Sequence, residues 1–173
     1  MAIEACGFPE GSSLDGQRVK AAWFHDSYRA PLGKDHRSMA DIFFALFGHN
    51  PAWVKAVLLT RNRIAAACGL DVPEASDIQN PVQKASYQVG DLIGPWPVFS
   101  LSENELIAGR DNRHLDFRLV LLREQHAGQW NVVVSTVCEV HDLYGRIYLF
   151  FIVPFHKWGV KQLMLNAVRG GRL

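Results

Sequence analysis

Three cysteines, Cys6, Cys68 and Cys138, are too few, too far apart and odd in number for a disulfide framework or a thiolate zinc site. With no basic-then-apolar leader at the N-terminus, the expectation is a chain kept reduced in the cytoplasm. No charge of one sign predominates. Lys and Arg number 18 against 17 Asp and Glu, and the basic residues are scattered, so the electrostatic footprint of a nucleic-acid binder is missing. The longest uncharged apolar run, Ile147 to Phe155, falls far short of the roughly 20 residues needed to cross a bilayer, so the chain reads as soluble with no membrane span. Its histidines never recur at the close spacing of a metal-binding helix, which argues against a metal. There is no Gly-rich phosphate loop, serine elbow or cysteine nucleophile signature, and no cofactor is expected.

What is present suits one domain. A length of 173 residues fits a single hydrophobic core, and aromatics at 11% can fill a large interior or line a pocket. Residues 1–16 lack periodicity and read as a loose arm or a packed irregular lead-in. A strand is expected over 19–29, ended by Pro31 and Gly33. Ser38 with Asp41 forms a weak capping pair for a short helix that puts Met39, Ile42, Phe43, Leu46 and Phe47 on one face and closes at Gly48. Asn50 and Pro51 then open a second helix to about Cys68, ended by Gly69. Loop composition covers 71–90, and Gly94, Pro95 and Pro97 allow 91–101 only a broken or edge strand.

The last seventy or so residues carry most of the pattern. Strands are expected at about 103–110, 115–124, 130–141 and 146–153, and Pro154 opens an amphipathic helix to Val168. Strand runs and helix runs are segregated, so the class is α+β: a curved antiparallel sheet wrapped on a long C-terminal helix, with two short helices between the first strand and the meander.

This element order resembles the START-like (SRPBCC) helix-grip superfamily. The run from Glu105 through Gly109-Arg110-Asp111 to Arg118, then Ser135-Thr136, Gly145-Arg146-Ile147-Tyr148 and Pro154-Phe155-His156, resembles an uncharacterised bacterial family of unknown function, from about residue 20 onward. The resemblance implies a single START-like domain over 1–173, with a deep cavity between helix and sheet. Across that superfamily such cavities take lipids, sterols, hormones and polyketides, and some branches catalyse cyclisation or dehydration. It supplies no catalytic motif, and fold likeness does not settle function.

Polar residues on apolar faces are the candidates for a site. His156 precedes Val160, Leu163, Met164 and Ala167 on the apolar stripe of the last helix, where an imidazole can anchor a polar ligand or move a proton, or simply cap nearby backbone. In an apolar pocket its neutral form is favoured unless an acid stands beside it, so ligand binding should depend on pH. Arg61 falls within the apolar face of the second helix and suits a carboxylate or phosphate, or else snorkels or pairs internally. Thr136 shares the interior face of its strand with Val132, Val134 and Cys138. Glu105 and Arg118 become cross-strand partners if Asp111-Asn112 is a two-residue turn; a four-residue loop through His114 moves that pairing by two. The segment 147–153, read as a strand, is apolar on both faces and asks for a cover: the N-terminal arm, a loop, or a second subunit in a two-fold dimer.

Three functions follow as expectations. The first is a binder of a small hydrophobic or amphipathic molecule, with His156, Arg61 and Thr136 as polar contacts and Phe43, Phe117, Met164 and Trp158 as wall or lid. The second is a cyclase, dehydratase or isomerase in which His156 moves a proton and Arg61 steadies negative charge. The third is a homodimeric interaction subunit.

Overall fold

Strands that alternate side chains between two faces build one curved, unclosed antiparallel sheet, and a long C-terminal helix lies across it. The computed structural model describes residues 3–33, 37–49, 59–60, 62–63, 66 and 83–173. The elements are β1 (Glu4–Ala5), α1 (Gly16–Ala21), β2 (Phe24–Pro31), α2 (Met39–Phe47), β3 (Leu92–Ile93), β4 (Trp96–Leu101), β5 (Glu105–Asp111), β6 (Leu115–His126), β7 (Gln129–Val140) and α3 (Leu143–Arg169). The sheet order is β1-β2-β7-β6-β5-β4-β3. The expected α+β architecture is therefore present.

Register decides which side chains meet the helix. Asp26 pairs with Thr136 and Thr136 with Leu119, while Phe24 pairs with Cys138 and Cys138 with Phe117. Because side chains alternate, these rows share one face with Tyr28, Val134 and Leu121. That face divides into two clusters. The larger packs Phe43, Met39, Leu106, Leu121 and Val134 against Val160, Met164 and Ala167 of α3; the smaller packs Leu115 and Cys138 against Tyr148 and Leu149.

The opposite face is covered by the N-terminal segment. Ser13 donates its backbone N–H and its hydroxyl to the buried Glu105 carboxylate, and Arg18 reaches Glu139 at 2.5 Å and Asp116 at 3.5 Å. A buried carboxylate needs such donors. Residues 3–15 thus form the packed lead-in of the two arrangements considered. Asp15 caps α1, so residues 16–21 are helical and the strand expected from 19 begins at Phe24.

The β5–β6 turn differs from both expected registers. Asp111 pairs with Asp116, which sets Glu105 opposite Leu122 rather than Arg118. Arg118 instead pairs with Asp111 at 2.5 Å and lies 3.7 Å from the Phe99 ring centroid. A register shift in β4 between Val98 and Ser100, the mark of a bulge, lies at Phe99.

The expected strand over 146–153 is helix. Asp142 accepts from the Gly145 N–H at 3.0 Å and caps a 27-residue α3, with Pro154 inside it rather than at its start. An uninterrupted apolar run fits a strand or a doubly apolar helix equally well, and Pro154 suggested a beginning because it lacks the N–H that an interior turn uses. The capping box of α2 forms as expected, with Ser38 Oγ accepting from Asp41 N at 3.1 Å and Asp41 Oδ2 from Ser38 N at 3.2 Å. Of the second expected helix, residues 59–60, 62–63 and 66 are helical; the remainder, with Arg61, lies outside the described residues.

Candidate functional site

The smaller cluster is not completely filled. Between the first half of α3 and the sheet lies a cavity of about 60 Å³, lined by Phe24, Leu115, Phe117, Thr136, Cys138, Tyr148, Leu149, Ile152, Val153 and His156. The side chains come from three adjacent strands, β2, β7 and β6, and from successive turns of one helix. Three residues singled out in the sequence, His156, Thr136 and Phe117, meet here.

His156 stands edge-on to Phe24, with ring centroids 5.6 Å apart, and its Nε2 lies 3.3 Å from Asp26 Oδ1. The Asp26 side chain is only 10% exposed, and its Oδ2 is buried with no hydrogen-bond partner. Such an atom forfeits the hydration it had in the unfolded chain, at a cost of about 1–3 kcal/mol or more for a charged group. Next along β2, burial of Tyr28, then the nearby Asp26 charge and a side-chain interaction with that carboxylate, push its phenol up to about 12. Lys161 Nζ lies 5.2 Å from the Tyr28 ring centroid, and Lys157 Nζ 5.6 Å from that of Phe24.

The arrangement offers an apolar recess with a polar end. With Nε2–H of His156 donating to Asp26 Oδ1, the carboxylate still has an acceptor free, and the imidazole is held in one orientation. A ligand hydroxyl, amine or water donor would complete it. The acid that stands beside His156 is thus Asp26. It was legible in principle: Phe24, Asp26, Tyr28 and Ala30 fall at every second position, which puts a carboxylate on an apolar face.

The other sequence candidates lie elsewhere. Phe43, 1% exposed, packs against Phe44, Phe47 and Trp96 in the larger cluster, and Met164, also 1% exposed, belongs to that cluster. Trp158 is half exposed and does not line the cavity. A wider polar groove of about 600 Å³ runs past Ser38, Asp41, Lys84, Glu103 and Arg123. Its charges already pair: Asp41 with Ser38 and Gln83, Lys84 with Asp91, Arg123 with Asn104. Among the described residues no group of three or more His, Cys, Asp or Glu is placed to hold a metal ion. Nor is any described helix long and apolar enough to cross a membrane.

Fold and recess together define an α+β, helix-grip-like protein with one small, partly polar pocket beneath its C-terminal helix. The chain belongs to the family described as protein of unknown function (DUF2867), which it matches over residues 18–163. No curated protein and no solved structure matches it.

Proposed function

We propose that the protein binds a small amphipathic molecule bearing a hydrogen-bond donor, and that its family falls within the START-like helix-grip superfamily. The carrying observation is the buried, unpartnered Oδ2 of Asp26 beside His156 at an apolar recess. A buried polar atom without a protein partner calls for an explanation, and a donor supplied by a ligand or an ordered water is one. At about 60 Å³ the recess is well below the usual range of about 300–1,000 Å³ for ligand pockets, so only a few heavy atoms sit wholly inside. A longer ligand projects outward or displaces a lining side chain. Free Cys6 and buried Cys138 support a reducing compartment such as the cytoplasm.

The test compares phenol with benzene by NMR. Phenol should shift the Thr136 methyl and His156 ring signals saturably and more tightly than benzene does, and Asp26→Asn should remove that preference. Equal binding of both by the wild type would overturn the donor requirement.

The same His156–Asp26 contact favours a second reading, an acid–base enzyme of the cyclase, dehydratase or isomerase kind. A base oriented by a carboxylate is a recurring catalytic unit. A molecule recovered from the pocket should then be converted by the wild type and not by Asp26→Asn; recovery unchanged from both removes this reading.

A further inference from the structure

We infer that the outward face of α3 docks on an anionic phospholipid surface. A helix packed on a sheet normally turns charged residues to water. The first four turns of α3 do the opposite: Tyr144, Phe150, Phe151 and Phe155 are 63–69% exposed, and Ile147 is 49% exposed. From Tyr144 to Phe155 these positions form a ridge about 17 Å long at 1.5 Å per residue. Such a contiguous apolar strip on a surface marks an interaction site.

Charge selects the occupant. At about 100° per residue Arg146, Lys157 and Lys161 fall on one flank of the ridge, and all three are exposed. From Leu143 to Leu173 the chain has no Asp or Glu. Aromatic side chains edged by lysine and arginine, with the capping Asp142 at one end as the acid nearest in sequence, suit the headgroup boundary of a negatively charged leaflet. A second copy is the competing occupant: antiparallel pairing about a two-fold axis near Phe151 sets Lys157 of one helix beside Arg146 of the other, which repels, although it also brings Lys161 near the capping Asp142. The inner face of α3 is committed to the sheet through Tyr148, Leu149, Val160 and Met164, so the helix lies on the surface rather than crossing it.

Vesicle flotation tests this with the whole chain. The wild type should float with equimolar phosphatidylcholine and phosphatidylglycerol, release at high salt, and stay behind with phosphatidylcholine alone. Lys157→Gln with Lys161→Gln should weaken partitioning about fivefold per lysine. Phe151→Ser with Phe155→Ser should weaken it by roughly tenfold or more, and unchanged far-UV circular dichroism would show that both proteins fold. A folded wild type that ignores anionic vesicles would overturn the inference, as would equal binding to neutral ones. So would a sedimenting dimer that Phe151→Ser with Phe155→Ser converts to monomer, since the ridge would then be a self-association surface.

Discussion

Replacing Gly145 by alanine tests how α3 is seated. Gly145 is the third residue of the helix, a position where alanine ordinarily stabilises by about 0.5–1 kcal/mol. Here an added Cβ would stand 2.3 Å from the His114 carbonyl oxygen and 2.9 Å from Val140 Cγ1. Reaching the 3.0 Å that real Cβ contacts respect requires an opening of about 0.7 Å between helix and turn. The His114 carbonyl already accepts from His141 N at 3.0 Å, so it cannot retreat without loosening that bond. Overpacking of this kind costs about 1–3 kcal/mol, which reverses the usual sign. Gly159, in the same helix, has nothing within 4 Å of its added Cβ, and Gly159→Ala should stabilise by the ordinary amount. Urea unfolding followed by circular dichroism reads both, as does a melting shift of about 2–4 °C per kcal/mol. Equal stabilisation by the two alanines would refute the seating of α3 on the β5–β6 turn.

Other outcomes follow from single features. Ala127 at φ +50° and Gly128 at φ +76° join β6 to β7 in a two-residue turn that favours asparagine and glycine, so Ala127→Asn should raise the urea midpoint by up to about 1 kcal/mol of stability. The double substitution Asp26→Leu with His156→Phe removes a buried charge and should leave the protein as stable or up to about 1–4 kcal/mol more so, while phenol binding disappears; marked destabilisation would make the pair structural. Stability should fall at both ends of the pH scale. Asp142 is held below the usual carboxylate range by the Gly145 N–H and then by His114, and Asp41 by Ser38, so their contributions are present above that range and lost as pH drops through the lowered values. Tyr28, raised to about 12, contributes fully below its ordinary 10 and loses that contribution as pH rises toward 12, which ultraviolet titration of the phenol can follow.

Much of the sheet was legible because period two is a strong signal. Leu115, Phe117, Leu119 and Leu121 face the interior as their alternation requires, and β7 aligns Val132, Val134, Thr136 and Cys138 beside them. The Ser38–Asp41 cap was readable because its chemistry is local. The start of α3 was not, since a run apolar in every direction has no period, and only its inner side is explained by the core. Turn length escaped for a related reason: Asp111, Asn112, Arg113 and His114 all tolerate turns, and the register is settled by Arg118 reaching Asp111 and by His141 N reaching the His114 carbonyl. The site was half visible. His156, Thr136 and Phe117 stood out as residues on interior faces, whereas the contact between Asp26 and His156 joins residues far apart in the chain, and its formation depends on how the helix crosses β2.

Native mass spectrometry of the protein purified from its own host, beside the Asp26→Asn protein prepared in the same way, is the most direct measurement of ligand binding at this recess. The expected spectrum shows a small molecule with a hydroxyl or amine donor retained by the wild type and lost from Asp26→Asn. Retention of the same molecule by both proteins, or an empty wild type whose Thr136 and His156 signals do not respond to phenol, would contradict a ligand role for the Asp26–His156 pole.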